Sequence, residues 1–498
     1  MPAPTTRSFA RRRIVALAGL ASLLAGCAAV GPDHQAPAVQ APADWAAWHG
    51  GAGSLIGSER SQPATPLPLD GWKAFNDPVL DRLQARALAA NHDLQTAALR
   101  FAQSRAQRTT AAAQRGPQLN ASASVTRQRQ SETGSATRLI DALAPSNRDE
   151  LIGVLSEPHN LYQAGFDASW EIDLWGRVRR AIEAADASVD AADALQRQVQ
   201  LSVQAELARH YFELRAVQRQ LRIAQADVAA AAESLQLVQA RADGGLTTDL
   251  DATRQRAQLA DLRARLPQLQ QQEAQALNQI TLLAGEAPGA LNAELADAGN
   301  APAASALPDL ALGLPSELAQ RRPDILAAQA QLHAATAQIG VAVADLYPRI
   351  TLGANFGLES VGSERFGDWG SRQWRIGPSI SLPIFDQGRR RATITLRELQ
   401  QQEAAVAYQQ TVLRAWHEID AALTAYTAEQ QRQAQLAERE HSGRDALLLA
   451  QVRYRNGLTD FGVELDAQRT LLQAQREYAD SSSQLAVRLV AIYKAVGV

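Results

Sequence analysis

Cysteine is almost absent from this sequence, since Cys27 is the only one among 498 residues. A chain with a single cysteine cannot form an intrachain disulfide. The apolar run near the N-terminus, from Ile14 to Leu24, is too short to span a membrane as a helix. A disulfide framework is therefore excluded, and so is a transmembrane helix built from this run.

The sequence also lacks the motifs of the common enzyme classes. It contains no HExxH, no Walker loop, no GxSxG and no cysteine cluster. The eight histidines are scattered without a pair at metal-ligand spacing, and His210 and His417 lie within helical runs. We therefore expect neither catalysis nor a bound metal or other noncovalent cofactor.

Positive charge is not in excess either, because the formal net charge is −3. Residues 1–26 carry no acid and contain the four arginines Arg7, Arg11, Arg12 and Arg13. Without them the formal charge becomes −3 − 4 = −7. This balance argues against a nucleic-acid-binding protein.

Residues 1–26 have the features of a secretory signal, namely a basic start, a short apolar stretch and small residues at the end. The sequence Leu24-Ala25-Gly26-Cys27 resembles the bacterial lipoprotein box. That resemblance implies that Cys27 receives a diacylglycerol and an N-acyl chain and becomes the mature N-terminus. The alternative is an ordinary signal followed by a chance cysteine. We interpret residues 27–70, rich in Pro, Gly, Ala and Ser, as a lipidated extended leader.

Two short stretches alternate in polarity with a period of two, which is typical of strands with unlike faces. Their apolar positions are Ile350, Leu352, Ala354, Phe356 and Leu358, then Trp374, Ile376, Pro378, Ile380 and Leu382. An earlier pair alternates in the same way, with Leu119, Ala121, Ala123 and Val125, then Tyr162, Ala164, Phe166, Ala168 and Trp170. Each of the later runs has about ten residues, enough to cross a bilayer as a tilted strand.

The two hairpins belong to an internal duplication. Asp93 and Pro117 match Asp324 and Pro348 at an offset of 231, whereas Gly176 and Gly245 match Gly388 and Gly457 at 212. The difference of 19 residues predicts a longer loop in the first hairpin. A repeat of this length predicts that the two halves of the chain form the same elements in the same order.

Long runs almost free of proline and glycine predict long helices, which glycine turns separate. The predicted first repeat is 71–284, with a helix, a hairpin at 117–172 and helices at 177–242 and 248–284. An equatorial connection at 285–315 precedes the second repeat, 316–498, with a helix, a hairpin at 348–384 and helices at 389–455 and 461–496. The first of these helices is expected to continue from Asp77 to about Arg115.

Motifs in order along the chain resemble the outer membrane factors of tripartite efflux pumps, the TolC- and OprM-like family, in its lipoprotein branch. The motifs are Val30-Gly31-Pro32-Asp33, Trp72-Lys73-Ala74-Phe75-Asn76-Asp77-Pro78, Leu314-Pro315-Ser316-Glu317-Leu318, Arg321-Arg322-Pro323-Asp324-Ile325, Gly377-Pro378-Ser379-Ile380-Ser381-Leu382-Pro383-Ile384-Phe385-Asp386, Gly388-Arg389, Tyr454-Arg455-Asn456-Gly457 and Leu465-Asp466-Ala467.

The resemblance implies an α+β membrane protein that forms a homotrimer. Each chain would give four strands to one 12-stranded outer-membrane barrel, which continues into a periplasmic α-helical barrel. Four strands alone cannot close, and lipid tolerates no open strand edge, so several chains must share a barrel on physical grounds as well. Twelve strands leave a lumen, whereas eight from a dimer would nearly fill it.

The implied function is a passive exit duct in the outer membrane for drugs and other toxic small molecules. A periplasmic adaptor and an inner-membrane pump would be its partners. A periplasmic adaptor is itself a competing interpretation, but the duplication and the membrane-length strands argue against it. An exit duct for secreted proteins or peptides stays open, because the sequence does not separate the two kinds of cargo.

Two sets of site residues follow. The strand pattern predicts lipid contact for six side chains: Phe166, Trp170, Phe356, Trp374, Ile376 and Ile380. The resemblance places a pore constriction near Leu465-Asp466-Ala467, with Asp466, Asp251, Asp460 and Glu464 as candidate gate residues and Arg453 and Tyr454 as a tip latch. Threefold symmetry would bring identical carboxylates together and so select cations. Alternatively, Asp460 caps a helix and the other acids are solvated surface charges.

Overall fold

The computed structural model describes residues 29–37, 48–55, 71–135, 137–138, 140, 145–296 and 321–497. Cys27 and residues 297–315 of the predicted equatorial connection lie outside the described residues. The predicted division of the chain into two repeats therefore stays a prediction.

Four antiparallel strands form one sheet in the order β1-β2-β3-β4. The strands are β1 (Gln118–Gln128), β2 (His159–Ile172), β3 (Arg349–Ser360) and β4 (Arg372–Ser381). The loop between β1 and β2 contains a further helix, α3 (Arg148–Ser156), which the alternation pattern did not indicate. Since β1 and β4 are each paired on one side only, they are the two edges of the sheet.

Four long helices occupy the runs that are almost free of proline and glycine, with Pro267 inside one of them. They are α4 (Arg177–Asp243), α5 (Asp249–Leu283), α8 (Arg389–Arg455) and α9 (Phe461–Val496). A short helix, α6 (Asn292–Leu295), follows α5, and α7 (Pro323–Ala344) leads into β3. Within the described ranges, no helix is both long and apolar enough to cross a membrane.

The expectation of one continuous helix from Asp77 to Arg115 is wrong. The chain forms α1 (Pro78–Ala90) and α2 (His92–Ala113), separated at Asn91. The Asn91 side chain accepts hydrogen bonds from the Asp93 and Leu94 amides at 2.9 and 3.1 Å and donates to the Leu283 carbonyl at 3.0 Å. Asn91 thus caps the second helix and ties the break to the end of α5.

The chain divides into two compact units that each combine several segments. The first contains Met1–Ala36, Ser104–Val189 and Gln331–Ala405, and it includes the sheet. The second contains Pro37–Gln103, Asp190–Ala330 and Val406–Val498. Its apolar core joins α1 with parts of the long helices, and fully buried members include Leu80, Leu207, Leu214, Ile280 and Ile419.

The segment Trp72–Pro78 fixes the start of α1 within this second unit. Asp77 caps α1 by accepting hydrogen bonds from the amides of Val79 and Leu80 at 2.9 and 3.2 Å. Its second carboxylate oxygen accepts from the Tyr211 hydroxyl at 2.5 Å. Burial first, and then this hydrogen bond, raises the pKa of Tyr211 to about 12. One buried carboxylate therefore serves both a helix cap and a tyrosine of α4.

We expect Asp77→Ala to lower the free energy of unfolding by about 2 kcal/mol, because a cap is lost and a buried hydroxyl loses its acceptor. Thermal unfolding in detergent measures the change. Asp81→Ala, an exposed acid in the first turn of the same helix, is the matched control and should change little. Equal melting temperatures for the two variants would contradict the role of Asp77 as a helix cap and as the acceptor for Tyr211.

Candidate functional site

The register of the sheet places the alternating apolar residues of all four strands on one face. Phe166 pairs with Phe356 and Phe356 with Trp374, while Ile350 pairs with Ile380. The six residues predicted to contact lipid share this face and are exposed in the single chain, with Trp374 at 69% and Ile380 at 71%. Their contact with lipid stays a prediction, but they form one continuous apolar surface.

The opposite face carries small and polar side chains in rows that cross the strands. One row runs from Asn120 through Asp167 and Asn355 to Arg375. Asn120 donates a hydrogen bond to Asp167 at 3.1 Å. The buried side-chain oxygen of Asn355 has no hydrogen-bond partner in the described part of the chain. The sheet thus separates an apolar surface from a polar one, as a wall between lipid and water requires.

The ends of β2 and β3 border a cavity of about 170 Å³ in the same unit as the sheet. At its edge Arg177 donates two hydrogen bonds of 2.8 Å to Glu171, and the rings of Trp175 and Tyr347 stack at 4.8 Å. Asp173 accepts from the first amides of α4. Each charged group named here has a hydrogen-bond partner within the chain. We therefore interpret these contacts as a structural connection between the strands and the helices, and not as a binding site.

The two helix-turn-helix tips have the same turn geometry. Gly245 and Gly457 adopt left-handed conformations with φ of 73° and 68°, which favour glycine. In the first tip the Leu246 amide donates to the Arg241 carbonyl at 2.8 Å, and in the second the Leu458 amide donates to the Arg453 carbonyl at 2.9 Å. This six-to-one bond defines a Schellman turn, which ends each outgoing helix abruptly.

Two of the four candidate gate acids form local hydrogen bonds at the starts of the returning helices. Asp460 accepts a hydrogen bond from the Val463 amide at 3.2 Å and is the N-cap of α9. Asp251 accepts from the hydroxyls of Thr247 and Thr248 at 2.7 and 3.2 Å at the start of α5. These contacts give Asp460 and Asp251 a local structural role that does not depend on a gate.

The other two acids differ in their surroundings. Glu464 is half-buried, and burial raises its pKa although Arg455 and Arg241 oppose the shift. Asp466 is exposed, and among the described residues no side chain forms a hydrogen bond or ion pair with its carboxylate. Asp466 is therefore the candidate whose charge is fully available to ions or to another molecule.

Tyr454 joins the two tips within one chain. The Arg241 guanidinium lies 4.9 Å from the centre of its ring, and the Phe461 ring lies 5.4 Å away. Tyr454 also packs on a buried apolar cluster, here called the tip cluster: Val238, Ala252, Phe461 and Leu465. The buried Tyr454 hydroxyl has no hydrogen-bond partner within the described ranges, and Arg453 is exposed. The predicted latch to a neighbouring chain stays a prediction.

Sequence reasoning missed Arg241 and Phe461 as parts of this arrangement. Arg241 matches Arg453 in the repeat, so both were visible as equivalent positions. Only the fold shows that Arg241 stacks on Tyr454 whereas Arg453 faces solvent. In the part of the chain that the structure describes, no group of three or more His, Cys, Asp or Glu could hold a metal ion.

Comparison with known proteins gives consistent matches over most of the chain. A family model described as outer membrane efflux protein matches residues 83–286 and 314–498. The pyoverdine export outer membrane protein OpmQ of Pseudomonas putida is 36% identical over 429 residues, covering 86% of this chain and 87% of that protein. The toluene efflux pump outer membrane protein TtgI of Pseudomonas putida is 33% identical, with coverages of 95% and 96%. The structure of the outer-membrane channel OprN superimposes with a TM-score of 0.80 at 34% identity, covering 94% of this chain and 98% of that one.

Proposed function

The chain belongs to the outer membrane efflux protein family, and we propose that it forms the outer-membrane exit duct of a tripartite efflux pump. The duct conducts its cargo passively from a periplasmic adaptor and an inner-membrane pump to the exterior. The observation that carries this proposal is the sheet whose register separates a continuous apolar face from a polar one. The apolar face contacts outer-membrane lipid, and the polar face lines a water-filled passage.

The functional unit is a homotrimer. A single chain supplies four strands with two open edges, β1 and β4. Lipid cannot satisfy the backbone groups of an open edge, so β4 of one chain pairs with β1 of the next until the barrel closes. Three copies give twelve strands, which is wide enough for a lumen.

Small molecules are the cargo. One of the relatives named above is described by pyoverdine export and the other by toluene efflux. An exit duct for secreted proteins or peptides is less favoured, because neither name refers to the secretion of a protein. Since a duct of this kind has no motor of its own, the energy for transport comes from the inner-membrane pump.

The gate lies at the helix tips, and Asp466 is its main ion-binding residue. The support comes from the contrast among the four acids. Asp460 caps α9, Asp251 accepts from threonine hydroxyls and Glu464 is half-buried, whereas Asp466 is exposed and its carboxylate has no partner among the described residues. Threefold symmetry brings three Asp466 carboxylates to one axis, and such a ring attracts cations and repels anions.

We expect Ile376→Arg to impair assembly by about 2–4 kcal/mol, because Ile376 lies in the middle of β4 on the apolar face, where a charge in lipid is most costly. Ser379→Arg is the matched control. Ser379 pairs with Thr351 on the polar face, in the row that contains Glu171, so an arginine there meets water and an acid. The yield of heat-resistant trimer on gels measures the difference. Equal yields for the two variants would refute the assignment of the faces.

We expect Asp466→Ala to change single-channel conductance or cation selectivity in planar bilayers and to weaken block by multivalent cations, without loss of the trimer. Asp251→Ala should have a smaller effect on these channel properties because its carboxylate is held by hydroxyls. Asp445→Ala, an exposed acid elsewhere on α8, is the control. If Asp466→Ala and Asp251→Ala, alone and together, leave all three properties unchanged, the constriction lies elsewhere.

We also propose that Cys27 carries the lipid anchor, and we expect mass spectrometry of the mature N-terminus to find an acylated Cys27. Cys27→Ser should reduce anchoring more than trimer formation, because the shared barrel also holds the protein in the membrane. A mature chain that begins at another residue without an acyl group would exclude this proposal.

A further inference from the structure

The leader segment, residues 29–37, is held in a slot between α4 and α7 in the first unit. The Val30 amide donates to the Trp175 carbonyl at 3.0 Å. Gly31 lies so close to Gly340 of α7 that an added Cβ would come within 2.5 Å of the Gly340 Cα. The backbone of the segment is therefore docked closely against both helices.

Arg180 of α4 is the centre of this docking site. Its side chain is only 5% exposed and donates to Asp33 of the leader segment at 2.6 Å and to Glu183 at 2.8 Å. Its remaining contacts are with the carbonyl oxygens of Val30 and Gly31 at 3.3 and 3.4 Å. The guanidinium thus binds the leader through both backbone and side chain.

Two histidines complete the site. His34 of the leader segment stacks on His333 of α7, with ring centres 4.4 Å apart and an angle of 16° between the planes. The Nε2 atom of His333 lies 3.0 Å from the second oxygen of Glu183. The leader is therefore joined to α7 by a contact between two titratable rings.

We propose that His34 and His333 form a pH-dependent clasp, which holds the leader segment at neutral pH and releases it on acidification. Two stacked imidazoles attract each other while at least one is neutral, but two imidazolium ions at 4.4 Å repel. The clasp does not depend on the proposed efflux function.

The charges around the rings set the direction of the response. Glu183 of α4 contacts His333, and Arg180 binds both Glu183 and Asp33 of the leader, so the charged groups of the site are one cation and two anions. Two neutral rings leave a net charge of −1, whereas protonation of both gives +1. The first proton neutralises the site and the second makes it positive, so double protonation places two like charges in the stacked pair and weakens the contact.

The direction of the pKa shift of His34 agrees with release of the leader in acid. Burial, and then the neighbouring His333, lowers the pKa of His34 below its usual value of 6.5. A free leader binds this proton more readily than a docked one, so docking is strongest above about pH 6.5 and weakens as the pH falls through that value. Burial alone would raise the pKa of Glu183, but hydrogen bonds from Arg180 and His333 lower it. Glu183 therefore stays ionised and keeps its contacts with Arg180 and His333 at both pH values of the test below.

Hydrogen–deuterium exchange of the full-length protein in detergent tests the clasp. Peptides that contain residues 29–37 are followed at pH 7.5 and pH 5.5, and each rate is corrected for the intrinsic pH dependence of exchange. We expect the protection of this segment to fall about three- to tenfold at pH 5.5, because one linked proton changes an equilibrium by at most about tenfold per pH unit. Protection of α1 serves as the reference and should not change.

Three variants separate the clasp from general loosening. The double variant His34→Gln, His333→Gln should keep the segment protected at both pH values, since glutamine does not titrate and can still donate to Glu183. His441→Gln, an exposed histidine on α8, should respond to pH as the unaltered protein does. Arg180→Gln should reduce protection at both pH values. Unchanged protection at pH 5.5, a pH response that persists in the double variant, or an equal loss in α1 would each overturn the proposal.

Discussion

The structure depends above all on strand register. Side chains alternate between the faces of a strand, so a shift of one residue in any pairing would move every apolar side chain of that strand to the polar face. In all three strand pairings, the apolar residues of one strand lie opposite the apolar positions of the next. A continuous apolar surface is available to lipid only because all three registers agree.

Local patterns explain which parts of this fold could be predicted from the sequence. Alternation marked the strands, and glycine turns marked the ends of α4 and α8, because both signals arise from a few adjacent residues. The break at Asn91 escaped this reasoning, since the helical pattern continues across it and the cap depends partly on a contact with Leu283. The contact of Arg241 with Tyr454 and the docking of His34 on His333 escaped for the same reason, because each joins distant segments.

Several residues that carry the family resemblance support the fold through contacts between helices. Asp77 caps α1 and binds Tyr211, while Trp72 packs edge-on against Tyr493 at 5.9 Å. Arg322 donates to the Ala495 carbonyl at 2.6 Å and to Asp324 and Glu418 at 2.7 Å, which ties the end of α9 to the start of α7. In the candidate site, by comparison, the sequence indicated four acids near the tips, but only the structure separates those held by local hydrogen bonds from the exposed Asp466.

The tip cluster limits how either hairpin can move. Val238 and Ala252 come from the first hairpin and Phe461 and Leu465 from the second, and all four side chains are buried. Separating the hairpins would expose these groups to water at a cost of about 1.5–3 kcal/mol for each large apolar side chain. Displacement of both hairpins together keeps the cluster intact and avoids this cost. A displacement of one hairpin tip is therefore transmitted to the other, so that the two tips of one chain move as a single unit.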